Sequence, residues 1–129
     1  MWCRLHPGES VGTDPPGTVD TRPSGTVNPM TIVISGELRI EPADFEAALA
    51  LVEPLVEATR AEDGCVAYDF WVHPRDQGRI RVFEEWTSAE ANAAHAASQH
   101  LATFMADLVT IRVLGADLVR YEVASQGPL

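Results

Sequence analysis

The chain has 129 residues, 46% of them apolar, a mean hydropathy of −0.03 and a net charge of −10. Those proportions describe one globular domain with a modest core, not a disordered or multi-domain chain. All nine basic residues are arginine, and an acidic balance of this size repels nucleic-acid backbones and anionic bilayers, so neither is an expected partner.

No apolar run is long enough for a membrane span. The opening residues MWCRLHPGES lack the apolar segment of a secretory signal, and a cytoplasmic location is the expectation. Two cysteines, Cys3 and Cys65, make no disulfide framework, and both are expected reduced.

Residues 1–29 hold five of the nine prolines and four of the nine glycines and show no apolar periodicity. Such a segment cannot bury enough surface to offset its ordering entropy, so a disordered arm is expected. Met30 stands where the domain begins and is a candidate translation start. Residues 31–40 alternate, with Ile32, Ile34, Leu38 and Ile40 on one side, which predicts a strand. Gly36 within it marks a bulge or a close neighbour. A helix is expected from Glu41-Pro42, with proline tolerated in the first turn. Its stripe is Phe45, Ala48, Leu49, Val52, Leu55 and Val56, and Pro54 is expected to kink it. Asp63-Gly64 is a turn signal that ends this segment.

Residues 65–73 are rich in aromatic and β-branched types and predict a second strand. Val66, Tyr68, Phe70 and Val72 are expected on one side, Ala67 and Trp71 on the other. Residues 74–78 read as a five-residue hairpin loop, and residues 79–86 as the return strand. There Ile80, Val82, Glu84 and Trp86 share a side opposite Phe83. Neither strand has a cleanly polar face, so one helical layer leaves an apolar patch to be covered by something else. Thr87-Ser88-Ala89-Glu90 reads as a capping box with Thr87 as the cap and Glu90 reaching back. An alanine-rich helix carrying His95 follows, and Ser98 is placed to cap a second helical segment. Leu101, Phe104, Met105 and Leu108 give that segment its stripe. Gly115 is expected to break the chain, residues 116–123 to form the last strand, and residues 125–129 to be a tail. Strand, helix, strand, strand, helix, strand is the α+β, ferredoxin-like split βαβ order, an antiparallel sheet with helices on one face.

His95 is the first candidate for chemistry, because a neutral imidazole takes and returns a proton near pH 7. On a continuous helix His100 would lie about 140° around from it, and a break at Ser98 would bring the two together. Tyr68, Phe70, Phe83 and Trp86 read as core or as the wall of a pocket for a flat aromatic molecule. Glu84, on the side of Val82 and Trp86, would be buried and would need a partner, for which Arg39, Arg81 and His95 are candidates. His73, His95, His100 and Cys65 show none of the tight spacings of zinc or iron sites, so no metal is expected. No G-x-G-x-x-G, phosphate loop or G-x-S-x-G occurs, so no nucleotide or flavin cofactor is expected.

An ordered set of motifs runs through this region: Glu62, Gly64, Cys65 and Tyr68; Phe83, Glu84 and Trp86; Ala91, His95, Ser98, His100 and Phe104. It resembles the antibiotic biosynthesis monooxygenase (ABM) family, over about residues 30–124. The resemblance implies dimers that pair their sheets into a shared α/β-barrel, and cofactor-independent oxidation of quinols, anthrones or similar hydroxylated aromatics by dioxygen. In that reading His95 is the base, Trp86 and Tyr68 position the ring, and Phe70, Phe83, Glu84, His100 and Phe104 contribute to substrate binding. A haem-degrading branch of the family uses an Asn, a Trp and a His where this chain has Gly36, His95 and Met105, which argues against that activity. A sugar-phosphate isomerase branch would need a basic pocket that the sequence does not show. The alternative from another class is a non-catalytic dimeric ligand-binding or stress protein on the same scaffold, since fold does not fix function.

Overall fold

The structure, a computed structural model, describes residues 30–129 together with the backbone of Cys3–Arg4. The arm expected over residues 1–29 otherwise lies outside the described residues. The elements are β1 (Cys3–Arg4), β2 (Thr31–Ile40), α1 (Phe45–Arg60), β3 (Cys65–His73), β4 (Asp76–Trp86), α2 (Ala89–Ala96), α3 (Gln99–Asp107) and β5 (Val113–Val123). The sheet runs β1-β3-β4-β2-β5, with every neighbouring pair antiparallel. β4 lies between β2 and β3, which α1 connects, and this is the split βαβ unit of the ferredoxin-like α+β fold. No helix among the described residues is long and apolar enough to cross a membrane.

Pairing fixes which side chains share a face. Ile34, Glu84 and Tyr68 form one row across β2, β4 and β3, with Gly36, Val82 and Phe70 in the next. This face meets α1, whose buried stripe is Phe45, Ala48, Val52, Leu55, Val56 and Thr59. Fully burying Phe45, Val52, Leu55 and Val56 contributes about 1.5–3 kcal/mol each, as an upper estimate. Helix α1 runs through Pro54, which faces solvent. Its first turn, expected to be α-helical, is a separate 3-10 turn over Pro42–Asp44.

Several local expectations are corrected. The β3–β4 connection is a two-residue turn, not a five-residue loop, because His73 already pairs with Asp76. The His73 Nδ1 accepts from the Arg75 amide at 3.1 Å within the turn, and at the start of β4 the Asp76 Oδ1 accepts from the Gly78 amide at 3.1 Å. Val66 does not join Tyr68 on the core face. The register slips between Cys65 and Ala67, and Val66 is left 54% exposed. Gly115 does not break the chain, since β5 begins at Val113 and pairs with β2 through Gly115↔Arg39.

Two glycines are required by close packing. A Cβ on Gly36 would stand 1.9 Å from the Asp117 carbonyl oxygen on β5. Gly64 has φ +82°, and a Cβ there would meet the Ala91 Cβ at 2.6 Å. The Gly64 carbonyl also accepts from the Thr87 amide at 2.9 Å. The turn after α1 is thereby fastened to the start of α2.

Candidate active site

Each of helices α2 and α3 starts on a serine, and the second serine, Ser98, separates them. Ser88 caps α2, its side chain accepting from the Ala91 amide at 3.1 Å. The expected box on Thr87 and Glu90 does not form, since the cap is one residue later and Glu90 falls one position short of the reciprocal place. Ser98 is extended at ψ 150° and caps α3 through the Leu101 amide at 3.4 Å, while its hydroxyl donates to the His95 carbonyl at 2.7 Å. The break turns His100 back toward His95.

Both rings meet one carboxylate. Glu62 Oε2 lies 2.7 Å from His95 Nδ1 and 3.0 Å from His100 Nε2. Glu62 comes from the turn that Gly64 fastens to α2, so its position depends on the packing just described. His95 is 4% exposed, between Trp86 at a centroid distance of 4.9 Å and Tyr68 at 5.1 Å. An ionised carboxylate only accepts, so in the neutral ring the His95 Nδ1 carries the hydrogen toward Glu62 and the lone pair is on Nε2.

A cavity of about 420 Å³ lies between the sheet and the helices. Ile34, Leu38, Phe70, Ile80 and Val82 form its sheet wall, and Leu101, Phe104, Met105 and Leu108 its helical wall. Among the described residues its ionisable or hydrogen-bonding side chains are Tyr68, Glu84, Asn92 and His95, with no arginine. The stripe of α3 is therefore only half-buried: it lines a hollow, and Met105 is 56% exposed.

Burial acts on each of these groups. Glu84 is 7% exposed, and its Oε2 accepts from Trp86 Nε1 at 3.0 Å. Its carboxyl is pushed above the ordinary range by burial, and the Trp86 N–H and His95 only partly oppose this. Tyr68 is pushed upward by burial first and then by the neighbouring Glu84, so its hydroxyl keeps its proton and can donate. Burial also pushes the Cys65 thiol up to about 11, which leaves no thiolate nucleophile.

Of the residues singled out in the sequence, Tyr68, Phe70, Glu84, His95 and Phe104 line the cavity. Trp86 is 0% exposed and stands behind it, against His95 and Glu84. Phe83 pairs with Ser35 and Asp69 on the opposite face of the sheet, away from the cavity. His100 turns to Glu62 and is not part of the cavity wall. The partner of Glu84 is Trp86, two residues on, and neither Arg39 nor Arg81, which face the other way. Sequence reasoning gave no role to Glu62 or Asn92. Glu62 was visible only as the first letter of a motif, and Asn92 sits one turn before His95 on α2. The spacing pattern showed no metal ligands, yet the donor atoms of Glu62, His95 and His100 lie within 4.8 Å of one another.

The sequence model of a family described as antibiotic biosynthesis monooxygenase matches residues 31–107. YcnE of Bacillus subtilis, named provisionally as a monooxygenase, is 26% identical over 93 residues, 72% of this chain and 98% of YcnE. The uncharacterized protein sll1783 of Synechocystis is 24% identical over 120 residues, 93% of this chain and 75% of the relative. The structure of Rv0793 from Mycobacterium tuberculosis superimposes with a TM-score of 0.68 at 23% identity, covering 76% of this chain and 99% of that one. A crystal structure named antibiotic biosynthesis monooxygenase gives 0.66 at 29% identity, over 74% and 100% of the two chains. The structural likenesses carry the fold, and the matched span runs from β2 through α3, with the Glu62, His95 and His100 cluster inside it. The chain belongs to the antibiotic biosynthesis monooxygenase family.

Proposed function

We propose that the protein oxidises an electron-rich hydroxylated aromatic, a quinol or an anthrone-like polyketide, with dioxygen and His95 as general base. The observation that carries this reading is the setting of His95. Its Nδ1 is tied to Glu62 at 2.7 Å, which leaves Nε2 for a substrate in an apolar cavity of about 420 Å³. Such a cavity suits a flat ring system, and the lack of arginine among its described lining residues disfavours a phosphorylated one. His95 takes the proton of a phenol or enol. The resulting carbanion gives one electron to dioxygen, and the two radicals combine. In an anthrone-like substrate a CH₂ becomes C=O and the second oxygen leaves as water, so no external reductant is consumed. Tyr68, held protonated, donates to the developing oxyanion.

The assembly belongs to the same proposal. Val119 and Tyr121 on β5 are 45% and 49% exposed on the sheet face away from the helices. A second copy covering this face makes the homodimer, and sedimentation should give twice the 14.0 kDa chain mass. The catalytic test is oxygen uptake by metal-free protein over a panel of quinols and anthrones. Uptake that requires protein and produces the oxygenated product supports the reading. Binding of these compounds without any uptake overturns it in favour of a non-catalytic ligand-binding protein.

A further inference from the structure

We propose that Glu62, His95 and His100 bind a divalent transition-metal ion of the zinc class, and that the bound ion silences His95 as a base. The binding half stands on the donor cluster alone, and the silencing half rests on the base reading above.

Two imidazole nitrogens and a carboxylate oxygen are a donor set that such ions select over calcium or magnesium. They come from three elements, the turn after α1, α2 and α3, so an ion would join parts of the chain that only the fold brings together. The carboxylate oxygen is 2.7 Å from one nitrogen and 3.0 Å from the other, and all three atoms lie within 4.8 Å. Donors around an ion with bonds of about 2.0–2.2 Å stand roughly 3–3.5 Å apart, so the two O···N distances widen by less than 1 Å or so while the two nitrogens, within 4.8 Å of one another, draw in to the same spacing. The remaining coordination position is left for water. The side chains of Glu62 and His100 are 17% and 26% exposed against 5% for His95, so the cluster opens to solvent on the Glu62 and His100 side. A chain of net charge −10 also draws cations toward it.

Position decides the role. Neither Glu62 nor His100 lines the cavity, and His95 reaches the cluster through Nδ1. The ion therefore sits behind the ring and does not touch a substrate. Its effect passes through the imidazole. Without the ion, Nδ1 carries the hydrogen and Nε2 has the lone pair that accepts a proton. Coordination needs the lone pair of Nδ1, so the hydrogen of the neutral ring moves to Nε2. His100 shifts its hydrogen from Nε2 to Nδ1 in the same way, and no net proton is released by either neutral ring. His95 then offers the cavity a donor where it had offered an acceptor.

The test begins with the untagged, full-length, metal-free protein. Zn²⁺ is titrated against a chromophoric chelator. One ion per chain, bound with roughly micromolar affinity or tighter, is expected. Glu62→Gln and His100→Ala should each weaken it by about tenfold or more, with the far-UV spectrum unchanged, while His73→Ala should not weaken it. Should a variant fail to fold, imidazole nitrogen NMR of the parent chain decides. Zn²⁺ must shift Nδ1 of His95 and Nε2 of His100 and leave His73 alone. No saturable binding, or binding that these variants and these rings ignore, overturns the site. Oxygen uptake is then measured with one equivalent of Zn²⁺ and again after a chelator. A loss of about tenfold or more that the chelator reverses supports silencing. Unchanged uptake with the ion bound overturns silencing and leaves the site standing. Absence of uptake under any condition counts against the base reading and the silencing built on it, and the titration still decides the site.

Discussion

Glu84 and Glu37 stand on adjacent strands of one sheet, and their carboxyls are pushed in opposite directions. Glu84, on the helix-covered face, is driven up by burial. Glu37, on the other face, is held down by Arg79, whose guanidinium donates to both its oxygens at 2.8 Å. Arg81 adds a weaker contact to the same carboxylate at 3.7 Å. One face removes water and leaves a polar group with few partners. Within a single chain the other keeps water and supplies opposite charges. The covered face is thus the one where a single protonation state can matter to chemistry, and the open face is where charge is ordinary surface.

The largest effect expected from this contrast is on the covered face. His95→Ala should lower oxygen uptake by ~10²–10⁴-fold while circular dichroism stays that of the parent. Full activity in this variant would reduce the covered face to a shaped cavity. Trp86→Phe comes next, and it should act on stability before it acts on binding. Trp86 is fully buried and gives Glu84 its hydrogen bond, so phenylalanine leaves a buried acceptor unpaired at a cost of about 1–3 kcal/mol. Denaturant unfolding should show the loss. A variant with parental stability and weakened substrate binding would place Trp86 at the cavity after all.

Glu84→Gln sharpens the comparison with the opposite sign. A carboxyl whose folded value is raised holds a proton that the unfolded chain has already released. Stability is therefore highest below the ordinary carboxylate value of ~4.3 and falls as pH rises toward the raised one. Glutamine keeps an acceptor for Trp86 and carries no charge, so Tm at pH 7–8 should rise by about 2–5 °C and its pH dependence should flatten. A fall in Tm would show that the ionised carboxylate is wanted there. Glu37→Gln should give the smallest change. Its folded value is lowered, so its contribution is present above the ordinary carboxylate value and lost as pH falls through the folded one. Where the pair stays open to solvent and salt, calorimetry should find Tm moved by about 1 °C or less, and a clearly larger fall would show that a second copy covers it.

Much of the fold was legible because its signals are local. The alternation at Ile32, Ile34, Leu38 and Ile40 places the inward face of β2, and the stripe from Phe45 to Val56 places that of α1. Ser98 was readable as a cap because a serine before an apolar stripe has few other uses. The slips came where neighbouring chain decides. Val66 faces out because of a bulge that only pairing with β4 reveals, and the hairpin is short because His73 already pairs with Asp76.

By itself, then, the sequence determined the order of the elements from β2 to β5, the faces of the regular ones, and the motif residues that mark the family, since periodicity and spacing are properties of nearest neighbours along the chain. Only the tertiary structure decided that Glu62, 33 residues before His95 and 38 before His100, sits at both rings. It also put Trp86 behind the cavity and Phe83 on the far side of the sheet. Those facts depend on a glycine turn pressed against α2 and on strand register across the sheet, which are contacts between segments that no local pattern encodes.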